Sequence, residues 1–261
     1  MNLIDSHVHI GQFGQWTFKS ETLIAYMHKY DVYKAVVSNV TGCEFDTIHN
    51  PIPSQGKSAQ ITINEEVLTL CKHYPGKLKG LFWIRPYTEG CNEVVRDFIT
   101  ENSAYFSGIK IHPFCSNMVF TEENYGEYLE MCRELNLTIV LHTENDGYSN
   151  PFYVYAIAKK YPDINFVMVH MGLRTDHSKS IEYINELPNL YGDTTLVDTQ
   201  NVIKAIHVCG SSKIMFGTDS PTFGVETFER YKDMLEYFRN TLPCEDAQNI
   251  LYKNAQKLFK L

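Results

Sequence analysis

Apolar residues fall along this chain in short unbroken runs, separated by longer stretches where they recur every three or four positions. The runs at residues 3–10, 34–40, 78–84, 106–112, 137–143, 165–171, a weaker one at 190–196, and 214–220 are bounded by Gly, Pro and Asn. Such runs are what parallel strands covered on both faces look like. The stretches between them predict helices at 20–30, with Ser20 as the expected cap, and from Thr62 to about Tyr74, where Thr62-Ile63-Asn64-Glu65 has capping-box order. Further helices are predicted at 92–102, 122–135, 152–161, 177–186, 198–208, 226–239 and 245–258. Strand and helix alternate about every 30 residues, which predicts an α/β fold consisting of a single (β/α)8 TIM barrel, with residues 1–261 as one domain. A doubly wound open sheet is the rival. The one long irregular connection, residues 41–60, follows the second strand, so it is expected over the C-terminal mouth as a lid or as a variable loop.

Composition supports one large core: of 261 residues, 44% are hydrophobic and 13% aromatic. The 23 basic against 31 acidic residues give a net charge of -8 without a basic block, so nucleic acid is not an expected partner. No apolar run approaches the ~20 residues that cross a bilayer. A histidine pair already begins at residue 7, which leaves no room for a leader, and a cytoplasmic location is expected. The seven cysteines (43, 71, 91, 115, 132, 209 and 244) are scattered without a Cys-x-x-Cys pair, which suits reduced thiols acting as small core hydrophobes. The partner expected is a small-molecule substrate, with no membrane, and a homodimer is compatible with all of this.

Chemistry enters where polar residues end the predicted strands. His7 and His9 share one face of the first strand, because side chains alternate with a period of 2, and so can grip one ion together. Lys110 and His112 end the fourth strand, His142 the fifth, His170 the sixth and Asp219 the eighth. Any one of these histidines, taken alone, is most simply a satisfied core or surface group. Together on one rim of a parallel barrel they make a metal site the better explanation. Imidazoles with a carboxylate and no thiolate suit zinc, with manganese, iron or cobalt as alternatives, and a catalytic site also keeps a position open.

The segments Asp5-Ser6-His7-Val8-His9, Gly108-Ile109-Lys110-Ile111-His112-Pro113, Leu141-His142-Thr143, Val169-His170-Met171-Gly172 and Phe216-Gly217-Thr218-Asp219-Ser220-Pro221 resemble the amidohydrolase superfamily along the whole chain. In particular they resemble the amidohydrolase-related subgroup that includes aminocarboxymuconate semialdehyde decarboxylase and several hydrolases and hydratases. The resemblance implies that His7, His9, His142 and Asp219 bind one divalent metal, with His170 facing substrate or a metal-bound water. Lys110 stands where two-metal relatives often carry a carbamylated lysine, but its Gly-Ile-Lys-Ile-His-Pro setting resembles mononuclear relatives. Lys110 and His112 are therefore expected beside the metal as substrate anchors, with a packed ion pair as the alternative for Lys110. Arg85 and Arg174, just past the third and sixth strands, are candidate carboxylate-binding groups, or else partners of neighbouring acids. Trp16 and Phe18 are expected to stack on substrate or pack a lid, Glu144 and Asp146 to support ligands or sit in a solvated loop, and His207 to be structural.

The function expected from this set is a metal-dependent hydrolase that activates a metal-bound water to cleave a small amide, ester or lactone, with Asp219 moving the proton and His170 assisting at the carbonyl. The alternative is a nonoxidative, metal-dependent decarboxylase of a small unsaturated or aromatic carboxylic acid. A noncatalytic metal-binding scaffold is a third reading, disfavoured by the intact rim of His and Asp.

Overall fold

The computed structural model describes residues 2–53 and 59–261. The strands are β1 (Ile4–Phe13), β2 (Trp16–Phe18), β3 (Lys34–Asn39), β4 (Leu78–Trp83), β5 (Phe106–Ile111), β6 (Thr138–Glu144), β7 (Phe166–Leu173), β8 (Leu190–Asp193) and β9 (Ile214–Met215). They form one sheet in the order β2-β1-β3-β4-β5-β6-β7-β8-β9, parallel throughout except for the β1–β2 pair. Each parallel pair is joined by a helical crossover, so the sheet is covered by helices and its strands are buried along most of their length.

Beyond β9 the chain returns to β1. Ser6 N donates to Phe216 O at 2.9 Å, Asp219 N to His7 O at 2.9 Å and His9 N to Ser220 O at 2.8 Å. Asp5 reinforces this junction from within, because its buried carboxylate accepts from Thr218 N, Thr218 Oγ1 and Tyr26 Oη. The first and last ligand-bearing segments are therefore fixed against each other by backbone.

Side chains divide between two cores. Val8, Ile109, Ile111, Phe82 and Met168 belong to the large cluster shared with the surrounding helices. Ile4, Val36, Leu81, Val140, Val167 and Met215 gather on the other side, sealed by Ala255, Leu258 and Phe259 of the last helix. Because neighbours on a strand point oppositely, the burial of Val8 and of Ile109 and Ile111 turns His7, His9 and Lys110 away from the helical layer.

Several sequence expectations need correction. Trp16 and Phe18 are not loop residues; they form β2, which pairs in register with Gly11–Phe13. Lys19, not Ser20, is the cap of the first helix, Ser20–Lys29, and it caps through its backbone carbonyl rather than a side chain. The Thr62–Glu65 segment lies inside the helix Ala59–His73, and the first turn of that helix is satisfied from elsewhere, by Glu89 accepting from Gln60 N. A distant carboxylate thus replaced the local cap that the sequence pattern suggested. The eighth strand is only Ile214–Met215, so Asp219 stands on an irregular segment.

Asn64 ties this helix to the sheet. Its side chain donates to Gln60 O and Trp83 O and accepts from Trp83 N, all without solvent. Asn64→Ala is expected to destabilise the fold by about 2–4 kcal/mol, since it strands a buried N–H and a carbonyl of β4. A chemical denaturation midpoint unchanged from wild type would contradict this. No helix among the described residues is long and apolar enough to cross a membrane.

Candidate active site

His7 Nε2, His9 Nε2 and Asp219 Oδ1 converge at the end of β1: the two nitrogens are 3.0 Å apart, and the carboxylate oxygen lies 2.9 Å from His9 and 3.5 Å from His7. Among the described residues these three form a group with the spacing to hold one metal ion. The donor set fits that role. His7 Nδ1 faces Asp193 Oδ2 at 3.1 Å, and since an ionised carboxylate only accepts, the proton sits on Nδ1 and the Nε2 lone pair points into the group. His9 Nδ1 is held by Ser38 Oγ at 3.0 Å, which steers its Nε2 the same way. Buried lone pairs and a carboxylate at this distance call for a cation among them.

Burial opposes charge on Asp219, but the neighbouring imidazoles of His9, His7 and His170 outweigh it and hold its carboxyl well below the ordinary carboxylate range. His7 is pushed well below the ordinary imidazole value by burial and by the Lys110 ammonium, which keeps it neutral as a metal ligand must be. Asp219 adopts φ +63°, as do two other residues of the cavity in the same left-handed region, His170 at +67° and Leu196 at +55°. Unusual backbone of this kind in non-glycine residues concentrates at functional sites.

His170 is positioned by β8. Its backbone N donates to Asp193 Oδ1, and its Nδ1 donates to Thr195 O at 3.0 Å, because a carbonyl can only accept. This leaves Nε2 as a bare acceptor beside the cavity. Burial also lowers the pKa of His170, so the ring is neutral. Asp193 therefore holds His7 and His170 at once, and it was absent from the residues singled out in the sequence. The only signal for it there was a lone carboxylate in the middle of the weak seventh run.

His142 stands apart from the three-residue group. Its Nε2 faces Glu144 Oε2 at 3.1 Å, and its ring stacks on His112 at 3.9 Å and meets the His170 ring edge at 4.8 Å. His112 in turn faces Trp83, and burial lowers its pKa to about 4. Lys110 is 1% exposed, and its ammonium makes no hydrogen bond or ion pair among the described residues. Burial pulls its pKa down to about 8, while Asp219 and Asp193 work in the opposite direction.

These side chains enclose a cavity of about 260 Å³, whose wall includes His7, His9, Lys110, His112, His142, His170 and Asp219. Phe13, Trp16, Phe18 and Trp83 add aromatic surface, and Cys43 and Thr47 bring part of the 41–60 connection to it; residues 54–58 of that connection lie outside the described residues. Neither expected arginine reaches this wall. Arg85 is buried against Glu89 at 3.2 Å, and the exposed Arg174 pairs with Glu144 at 3.0 Å, so each joins a neighbouring acid instead. Glu144 does support His142, whereas Asp146 closes its own turn by accepting from Tyr148 N and Ser149 N. His207 is an exposed helical residue.

An amidohydrolase family model matches residues 4–261. The chain belongs to the amidohydrolase family. Among curated proteins, this amidohydrolase resembles gamma-resorcylate decarboxylase of Polaromonas sp. (strain JS666 / ATCC BAA-500), 34% identical over 125 residues that cover 39% of this chain and 36% of that one. The chain thus matches little more than a third of that relative's length. Its fold is shared with 2,6-dihydroxybenzoate decarboxylase from Rhizobium, at 15% identity and a TM-score of 0.75 over 99% of this chain and 98% of that one. It is shared too with a dihydroxybenzoic acid decarboxylase from Polaromonas sp. JS666, solved with manganese and 2-nitroresorcinol, at 17% identity and a TM-score of 0.73 over 100% and 98%.

These likenesses overturn the expectation of a hydrolase of amides, esters or lactones, since the relatives they name are decarboxylases. The sequence did not separate the two because one metal-binding rim serves both chemistries. What differs is the substrate that the surrounding wall accepts.

Proposed function

We propose that this amidohydrolase is a metal-dependent, nonoxidative decarboxylase of a small aromatic carboxylic acid. The observation that carries the reading is the convergence of His7, His9 and Asp219 on an aromatic-walled cavity that an unpaired Lys110 ammonium faces. The cavity is large enough for a single substituted ring, and Phe18 and Trp83 offer it flat apolar surface. In this reading the parallel strands form a closed (β/α)8 barrel and one domain, a view supported by the hydrogen bonds from β1 to residues 216–220. A cytosolic location is part of the same proposal and is supported by the free state of all seven cysteines.

His7, His9 and Asp219 would hold the ion, with His142 beside them. Manganese moves ahead of zinc as first choice, since a structural neighbour carries it and nitrogen and oxygen ligands accommodate it. When bound, the metal supplies a positive centre that anchors and polarises substrate oxygens. Lys110 pairs with the substrate carboxylate and holds it in the cavity. Asp219, ionised at rest, takes up a proton from solvent water and passes it to the ring carbon that bears the carboxylate, and the carbon–carbon bonding pair then returns to the ring as carbon dioxide leaves. His170, neutral and fixed through Nδ1, accepts a hydrogen bond at Nε2 from a substrate hydroxyl and orients the ring. Arg85 and Arg174 have no part in this scheme.

A panel of hydroxybenzoic acids incubated with manganese-loaded protein is expected to yield carbon dioxide and the decarboxylated arene in equal amounts. Chelation should abolish the reaction and added manganese restore it. Metal-loaded, folded protein that turns over none of the panel would sink the reading.

A further inference from the structure

Two cysteines on the cavity wall have no part in the scheme above. Cys43 follows β3, and Cys115 lies in the short helix Pro113–Ser116 after β5. Both are buried, at 5% and 3% exposure, and both line the cavity. The segment that follows Cys43 is bonded to the other cysteine: Cys115 O accepts from Glu44 N at 2.9 Å and from Phe45 N at 2.8 Å. Their side chains pack in one cluster with Val40 and Trp83. The other five cysteines lie elsewhere, and Cys244 is exposed.

We propose that Cys43 and Cys115 form a peroxide-responsive dithiol, which closes to a disulfide across the cavity wall and ties the connection after β3 to the helix after β5. Three features favour the chemistry. A disulfide requires backbones within a few ångströms of each other, and here Cys115 O bonds the two amides that directly follow Cys43. The cavity gives a small oxidant access to sulfurs that the outer surface does not expose. Finally, burial alone would raise the Cys115 thiol, but the neighbouring Cys43, the adjacent His112 and the Lys110 ammonium bring it well below the ordinary thiol value, which makes it the attacking thiolate. Burial and the Cys115 neighbour hold Cys43 in the opposite direction, as the resolving thiol.

The step balances. The Cys115 thiolate attacks one oxygen of hydrogen peroxide, the O–O bond breaks, and with a proton water leaves as a sulfenic acid forms. The Cys43 sulfur then attacks that sulfur, giving the disulfide and a second water. The peroxide is reduced by two electrons and the two thiols are oxidised. Nothing in this depends on the substrate assigned above.

The test treats folded, metal-loaded protein with a few equivalents of hydrogen peroxide and maps its peptides by mass spectrometry, with exposed Cys244 as the internal reference for oxidant dose. The expected product is a linked peptide pair carrying Cys43 and Cys115, lost on treatment with dithiothreitol. In Cys43→Ala the sulfenic acid on Cys115 has no resolving partner and should be trapped by dimedone. Free Cys43 and Cys115 at a dose that oxidises Cys244 would overturn the proposal, as would Cys115 sulfinic acid with Cys43 still free in the wild type.

Discussion

Asp219→Ala is expected to strip most of the bound metal from the purified protein and to reduce decarboxylation on the order of 10³-fold or more, equivalent to at least about 4 kcal/mol of transition-state stabilisation. The expectation follows from two duties that meet on one side chain. Asp219 supplies the only anionic atom of the three-residue group, 2.9 Å from His9 Nε2 and 3.5 Å from His7 Nε2. Without it, two neutral imidazoles in a buried wall face an ion with no countercharge. The same carboxylate is also the group assigned to move the proton to the ring. Asp219→Asn separates the duties: an amide oxygen still reaches a metal but neither carries charge nor transfers a proton, so Asn should retain more metal than Ala while losing comparable turnover. Metal content by mass spectrometry and carbon dioxide release give the two readouts. Stoichiometric metal together with full turnover in Asp219→Ala would remove Asp219 from both roles.

Much of this site was legible in the sequence because strand periodicity carries direction. His-x-His on an apolar run places both imidazoles on one face, and the structure finds them with Nε2 atoms 3.0 Å apart. Lys110 between two buried isoleucines was legible for the same reason. For Arg85 and Arg174 the sequence left two readings open, because a position just past a strand end says nothing about where a long side chain turns; in the structure each pairs with a nearby acid, Glu89 or Glu144. The capping box at Thr62 failed for a related reason: Glu89, distant in sequence, satisfies that helix start, and no local pattern records it. The aromatic wall was split between residues 13–18 and Trp83 of the third run, so its unity appears only when β2 folds back on β1.

Asp193 escaped notice because its importance lies wholly in its partners, and its replacement should have the second largest effect. Its carboxylate is 1% exposed and serves four donors: His170 N and Thr195 N on Oδ1, at 3.0 and 3.2 Å, and His7 Nδ1 and Thr195 Oγ1 on Oδ2, at 3.1 and 3.0 Å. Burial raises its pKa, and those donors together with the field of Lys110 work against that rise in favour of the charged form. Asp193→Ala leaves two buried amides unpaired and should destabilise the fold by about 2–4 kcal/mol, read as a lower denaturation midpoint. It should also weaken metal binding by about 10–100-fold, the usual consequence of removing a group that orients a ligand histidine. Asp193→Asn distinguishes orientation from bulk stability. Its amide oxygen can still accept from the backbone amides of His170 and Thr195, so stability should largely survive. Its NH2 would then face His7 Nδ1, and two donors cannot share that contact, so the ring proton moves to Nε2 and occupies the lone pair that points toward Asp219. Asn should therefore bind metal as weakly as Ala while melting close to wild type. If the Asn variant instead binds metal as tightly as the parent, the His7 tautomer is not set by Asp193, and the lone-pair argument for the metal site has to rest on His9 and Asp219 alone.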